Sequence, residues 1–457
     1  MAQSSTPLPP VEPPGSWSPA RKLVSASTKP LQGFFSTEAA SGIMLIVAAA
    51  IALLWANSPF AQSYVDLWHT PIGLHVGSFG FERELHFWIN DGLMTIFFFV
   101  VGLEIRKEIH SGELSTLKRA ALPLVAALGG MLAPALIFIS LNAGLPSSDG
   151  WGIPMATDIA FAVGVLSLLG KRVPPPLRIL LLALAVIDDV GAIIVIAIFY
   201  SSELGALGFG VLASGILLTL LLQWVGARNQ MLYAVPAVMV WSGTYMAGIH
   251  PTLAGVIIGM MTPVRAWFDT KKLAEQPELF AFDPKDHRSL KRRLRALETI
   301  SRESVSPVDR LIHGLHGWVS YFIMPVFALA NAGVPLGNAS LDGVGTRVFF
   351  GVALGLALGK PIGVFALSWL AVRFGLAHRP SGVTWTQVAF VGVVAGIGFT
   401  MAIFIANLAY PPCDILETSK LAILSASAFA AVLSFVIGRT LLKLPVEAAA
   451  DGPSPAG

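Results

Sequence analysis

Asp188 and Asp189 stand side by side in LLLALAVIDDVGAIIVIAIFY, residues 180–200, a run with no other charge. The run is long enough to cross a hydrocarbon core of about 30 Å at about 1.5 Å per residue. One Asp at the bilayer centre costs about 2.5–3.5 kcal/mol on insertion scales. Two adjacent ones therefore point to a water-filled cavity or a cation path. Neighbouring side chains on a helix lie about 100° apart. One carboxylate can then face a cation while the other pairs with a base on another helix. Loss of water favours the protonated form of a carboxylate, so H⁺ and a metal ion compete for the same oxygens. Oxygen ligands suit a hard ion such as Na⁺ or Li⁺. The bland alternative is a pair of Asp neutralised by interhelical hydrogen bonds.

Lys360 is the one cation deep in an apolar span, within GVALGLALGKPIGVFALSWL. It is either a salt-bridge partner for Asp188 or a proton carrier itself. Apolar sequence on both sides argues against snorkelling to an interface. Asp158 follows Thr157 in GIPMATDIAFAVGVLSLLG. Its carboxylate can cap a helix start or offset positive helix ends meeting there, and Thr157 can add a hydroxyl ligand. Structure and ion ligation weigh evenly for both. Glu104 and Glu108 are four residues apart, with Arg106 and Lys107 between them. Stacked carboxylates at a cavity mouth would attract cations and respond to pH; a solvated helix end is the alternative. Asn90-Asp91 is expected at the interface. His250 in GIHPTLAG titrates in the physiological range, although a lone His at a helix start is more often structural. His69, His75, His86, His313 and His316 lack metal-ligand spacing and are assigned nothing.

These residues need helices in a membrane to hold them. The chain of 457 residues is 54% hydrophobic and 12% charged, about half the charge of an ordinary soluble protein. Twelve apolar segments run near 38–57, 85–106, 119–142, 152–170, 176–200, 204–224, 229–247, 249–263, 315–337, 347–372, 384–409 and 418–442. The fold class is an all-α polytopic membrane protein. An even count puts both termini on one side. Placing them in the cytoplasm puts 26 of the 30 Lys and Arg there, with Arg83, Arg347 and Lys420 outside and Lys360 within a span. The net charge of +3 thus reflects topology, and no nucleic-acid partner is implied. Residues 1–33 and 445–457 read as disordered tails around a membrane domain over 34–444. A cytoplasmic loop spans 264–312, and its basic block Lys285–Arg302 suits retention inside and contact with anionic membrane lipids. Cys413 stands alone and excludes an intramolecular disulfide.

The fourth segment contains Pro154 and a polar Thr157-Asp158, and the eleventh contains Gly396, Gly398 and Thr400 within VVAGIGFTMAIF. Both look broken. They hold matching places in two three-helix groups, near 117–200 and 347–442. Paired interruptions of this kind mark transporters built from inverted repeats.

At these residues the chain resembles the NhaA family of bacterial Na⁺/H⁺ antiporters, itself one of the families from which that pattern is drawn. The matching stretches are WINDGLMTIFFFVVGLEIRKE, PMATDIAFAVGVLSLLGKR, LLALAVIDDVGAI, GIHPTLAGVIIGM, PVFALANAGV, GKPIGV and VAGIGFTMAIFIA, in the family's order from about 35 to 440. The resemblance implies an NhaA-like fold of about 12 transmembrane helices with two discontinuous crossing helices. It implies electrogenic, pH-regulated export of cytoplasmic Na⁺ or Li⁺ in exchange for external protons, in the bacterial inner membrane, with no cofactor. It implies Asp189 as the principal cation ligand, with Asp188 taking part in cation or proton binding. It implies Lys360 as partner of Asp188, and Asp158 and Thr157 at the crossing. Glu104, Glu108 and His250 fall where the family places pH-response residues. The 57–84 loop falls where the family forms a dimer-making hairpin, which its alternation and glycines allow. In DRLIHGLHGW, Ile312 precedes His313 where the family can carry a pH-sensing Glu, and Asp309 stands one turn earlier.

Other classes fit less well. A Na⁺-coupled symporter would want a polar substrate pocket. An intramembrane aspartyl protease needs two Asp on different helices sharing a proton, which neighbours on one helix cannot do. A passive channel leaves the midplane charges without a task. The expectation is a secondary active transporter, not an enzyme, working by alternating access.

Overall fold

A computed structural model describes residues 38–77, 79–201, 205–266, 298, 300, 302–337 and 343–442. The readings made for the two tails, and for almost all of the basic block Lys285–Arg302, lie outside the described residues.

The chain begins with α1 (Glu38–Ala56) and the short α2 (Ala61–Trp68). An antiparallel hairpin follows, β1 (Pro71–Val76) paired with β2 (Phe79–Glu84), in a register that sets Pro71 against Glu84 and Val76 against Phe79. Gly77, at φ 61°, takes the left-handed conformation that a tight hairpin turn requires. Beyond the hairpin come α3 (Leu85–Ser111) and α4 (Leu117–Asn142). A 3₁₀ stretch (Ser148–Met155) leads into α5 (Ile159–Leu169), then α6 (Pro175–Phe199) and α7 (Ala206–Trp224). Next are α8 (Ala234–Met246) and α9 (Thr252–Met261), then α10 (Pro307–Asn331) and α11 (Val344–Arg373). The last three are α12 (Trp385–Ala395), α13 (Phe399–Ala409) and α14 (Asp414–Leu441).

All twelve apolar segments are helical. Among the described residues nine helices are long and apolar enough to cross a bilayer, and a tenth if α12 and α13 count as one span bent by 50°. The seventh and eighth segments are shorter than their apolar runs. Their helices, α8 and α9, have 13 and 10 residues, about 20 and 15 Å at 1.5 Å per residue. Gly248, at φ 75°, and Pro251 stop regular helix between them. Successive segments run toward the hairpin and away from it in turn. Tyr64 donates to Leu329 O at 2.8 Å at the hairpin end, and Lys107 meets Asp309 at 2.8 Å at the opposite end.

The periphery is apolar. Leu54, Leu136, Ile198, Leu207 and Val432 are all more than 60% exposed. Such a surface is stable only against lipid. In the interior, α4 and α11 touch backbone to backbone at Gly129 and Gly363. A Cβ on either would run into the other's carbonyl. Two π turns, Val319–Ile323 in α10 and Gly355–Gly359 in α11, each precede a proline by one residue, Pro325 and Pro361. Proline cannot donate to the carbonyl four residues back, and the helix locally widens. The second of these turns delivers Lys360 into the core.

Candidate functional site

The fourth and eleventh segments break at the centre of the molecule. Residues 156–158 are extended between the 3₁₀ stretch and α5, and 396–398 separate α12 from α13. The two breaks touch: Asp158 N–H donates to Ile397 O at 2.7 Å. Close crossing needs small residues. A Cβ on Gly396 would meet Leu356 O at 2.6 Å, and one on Gly398 would meet Ala156 O at 3.1 Å.

Each helix end at the crossing leaves unpaired backbone groups and part of a dipole charge. Asp158, fully buried, answers two of them. Its Oδ1 accepts from Phe161 N–H at 2.9 Å and caps α5. Its Oδ2 accepts from Thr400 N–H at 3.1 Å, near the start of α13, and from the Thr400 hydroxyl. The capping role read from the sequence is present, and it serves both half-helices. Thr157 answers a third end. Its hydroxyl lies 3.0 Å from Ala395 O, at the end of α12, and 2.5 Å from Asp188 Oδ2, with one proton to share between them.

Asp188 and Asp189 project from the middle of α6, each 1% exposed. Lys360, with no exposed surface, donates to Asp188 Oδ2 and to the Thr157 hydroxyl. The lysine does not snorkel. Among the described residues Asp189 makes no such pair. Its Oδ2 and Asp188 Oδ1 are buried with no protein hydrogen-bond partner. Buried polar atoms are nearly always partnered. Two such carboxylate oxygens on adjacent residues, beside one neutralising ammonium, leave negative charge that a small cation or a proton can offset. The structure thus brings together Asp188, Asp189, Lys360, Thr157 and Asp158.

Glu104, Glu108 and His250 lie outside that hydrogen-bonded cluster; Glu104 and Glu108 stand one turn apart on α3, close enough to act on each other, and Glu104 is close enough to act electrostatically on Asp189. Glu108 Oε2 accepts from Glu113 N–H at 2.8 Å and closes the turn after α3. Lys107, on the same turn, meets Asp309 at the start of α10, so Asp309 faces this helix end as one turn before His313 allows. His250 sits toward the hairpin end, 3.4 Å from Asp91 Oδ1 and 2.8 Å from the Thr252 hydroxyl, with its ring edge-on to Phe404. Asp91 and Glu104 are thirteen residues apart on α3, about 20 Å along the axis.

Asn90 and Asp91, expected at the interface, lie near the hairpin end of α3. Both are half-buried in a polar network. Asn331, 2% exposed at the end of α10, accepts from Asn407 of α13 at 2.7 Å and from Asn90 at 3.3 Å, and donates back to Asn90 at 2.8 Å. His86 joins at 3.2 Å. Lys420 lies in the second turn of α14, largely buried, 3.2 Å from Glu417. Sequence reasoning missed Asn331, Asn407 and His86 because each is a single polar residue with no spacing partner.

A polytopic helical bundle whose two broken spans cross over buried, paired charges has the architecture of a membrane transporter rather than of an enzyme. The comparisons with known proteins specify it. The family model described as Na⁺/H⁺ antiporter 1 matches residues 32–437. The chain is 54% identical to Na(+)/H(+) antiporter NhaA 2 of Sorangium cellulosum over 444 residues, covering 95% of each chain. It is 53% identical to Na(+)/H(+) antiporter NhaA 2 of Myxococcus xanthus, covering 96% of this chain and 95% of the relative. Against Na(+)/H(+) antiporter NhaA of Cupriavidus necator identity is 48%, with 92% of each covered. The chain belongs to the NhaA family of Na⁺/H⁺ antiporters.

Proposed function

We propose that this protein exports cytoplasmic Na⁺ or Li⁺ in exchange for external protons, by alternating access, with net movement of charge. One observation carries the reading: Asp189 is buried without the lysine that neutralises its neighbour Asp188. In the deprotonated state the Asp189 carboxylate is the principal cation ligand, and Asp188 Oδ1 lends a second oxygen. Protonation removes the charge that holds the ion, so one site serves both substrates in turn. Lys360 holds Asp188 and moves or releases its proton as the ion enters. Asp158 and Thr157 fix the crossing, so that the half-helices tilt as one body and carry the site between the two faces. If more than one proton enters per Na⁺ expelled, the membrane potential drives export.

The protein works in the bacterial inner membrane with both termini cytoplasmic, as the Lys and Arg distribution supports. No resident cofactor enters the mechanism. Glu104 and Glu108, at the cytoplasmic end of α3, tune activity to pH together with Asp309, which stands near the position of the absent glutamate at Ile312. His250 contributes from the opposite side through Asp91. The hairpin in the 57–84 loop pairs two copies, and the basic loop 264–312 rests on anionic lipid.

Proton flux in inside-out vesicles tests the reading. Na⁺ or Li⁺ added to a preformed pH gradient should collapse it and K⁺ should not, and Asp189→Asn should abolish the response while the protein stays inserted. No collapse by any of the three ions between about pH 6.5 and 9, the range in which the site must exchange protons for metal, would overturn it.

A further inference from the structure

α13 starts at the crossing, and the first amides of a helix have no partner inside it. The usual remedy is a Ser, Thr, Asp or Asn at the residue before the helix. That position is Gly398, which supplies no cap. It has little room for one, since a Cβ there would press on Ala156 O at 3.1 Å and on the Leu356 side chain at 2.9 Å. The cap comes instead from two other elements. Thr400 N–H goes to Asp158 Oδ2, and Phe399 N–H donates to the Ser427 hydroxyl of α14 at 3.0 Å. Ser427 is 2% exposed, so no bulk water replaces its oxygen.

We infer that Ser427 is a positioning residue for the cation site: it holds the start of α13 in the register at which Thr400 gives Asp158 both an amide and a hydroxyl donor. Ser427 touches neither Asp188 nor Asp189; it acts through this chain of contacts. Without its hydroxyl the Phe399 amide is buried and unpartnered. The acceptor serving the next amide at this helix end is Asp158 Oδ2, which Thr400 occupies. Sharing that oxygen displaces the helix start relative to 156–158. Thr157, in the same stretch, bonds Lys360 and Asp188, so the displacement reaches the pair beside Asp189. The effect falls on how tightly the ion is held, and on the pH at which protons displace it, more than on turnover.

The inference rests on the antiporter reading, and the test separates the two. Wild type, Ser427→Ala and Ser427→Thr are compared in inside-out vesicles over a range of Na⁺ concentration and pH, with membrane abundance measured for each. Ser427→Ala should raise the half-saturating Na⁺ by about threefold or more, the scale of one lost hydrogen bond. It should displace the pH profile and keep the maximal rate within about twofold. Ser427→Thr, which keeps the hydroxyl, should restore wild-type values. If Ser427→Ala does not accumulate, Ser427→Cys, with a weak acceptor of similar size, should show the same displaced half-saturation. Wild-type half-saturation and pH profile in the alanine variant, or in the cysteine variant where that one is read, would overturn the role of Ser427 alone. So would a loss of rate that threonine fails to rescue. A wild-type protein with no Na⁺-driven proton flux would overturn the antiporter reading itself.

Discussion

Thr400 donates twice to one oxygen of Asp158, through its amide at 3.1 Å and through its hydroxyl, while the other oxygen of Asp158 caps α5 through Phe161. A single carboxylate thus closes the N-termini of two half-helices from different repeats. Both helices direct the positive ends of their dipoles at it, and its charge is matched without any basic side chain.

Asparagine in place of Asp158 separates charge from shape. One amide oxygen can still cap α5, but an NH₂ group then faces the Thr400 donors. Asp158→Asn should therefore lose about 1–3 kcal/mol, the cost of leaving buried donors unmet, and should lose most Na⁺-driven exchange. Thr400→Val, which removes the hydroxyl and keeps the amide, should lose less of both. Thermal unfolding in detergent and vesicle flux check the order. Equal stability of wild type and Asp158→Asn would remove the double cap as a stabilising feature.

The ion pair of Lys360 and Asp188 has no exposed surface on either side chain. Removing one partner strands the other, which typically costs about 3–5 kcal/mol for a buried pair. Lys360→Ala should accordingly unfold at a lower temperature. The double variant Asp188→Asn/Lys360→Ala should recover part of that loss, because neither charge remains unpaired. Charge movement on a supported membrane addresses function separately. A signal from Lys360→Ala equal to wild type would exclude the lysine as the proton carrier.

Much of this site was legible in the sequence because charge in an apolar span has few explanations. Asp188, Asp189, Lys360 and Asp158 each stood out against hydrophobic neighbours, and the glycines around 396–398 marked the break. Hydropathy also located all twelve segments. The partners were harder. Ser427 and Asn407 are single small polar residues on apolar helices, a pattern that ordinary helix packing also produces. Their roles depend on which helices become neighbours. The partner of Asn90 was hidden for the same reason, since Asn331 comes from α10, far away in the chain. The shortness of α8 was hidden because the 3₁₀ turn before it, Gln230–Tyr233, is itself largely apolar, and that of α9 because its apolar run extends beyond the helix at both ends.

On the proposed mechanism, competition between Na⁺ and H⁺ for the Asp189 carboxylate fixes the sign of a pH dependence. Protonation occupies the oxygens the ion needs. The half-saturating Na⁺ concentration must therefore rise as pH falls, approaching about tenfold per pH unit for one competing proton. The maximal rate at saturating Na⁺ should change much less. A half-saturation that stays constant while the maximal rate falls with pH would mean that protons act at a separate regulatory group. Glu104 and Glu108 would then be the residues to vary.

The asparagine network at the hairpin end joins parts that the proposed alternating access would separate. Asn407 belongs to α13, one of the half-helices, while Asn90 and Asn331 belong to α3 and α10, outside the two repeats. Asn331 serves both sides at once. Replacing it with leucine deprives the half-buried Asn407 and Asn90 amides of that partner, at no more than about 1–3 kcal/mol in all. If the network also keeps the hairpin end closed, loss of Asn331 weakens the closed arrangement relative to the open one. Asn331→Leu should then label faster than wild type at a cysteine placed at Leu408, which leaves the Asn407 amide in place, with Cys413 first replaced by serine. Asn331→Asp keeps the acceptor and should label more slowly than the leucine variant. Identical labelling in all three backgrounds would show that these bonds stabilise the fold without governing access.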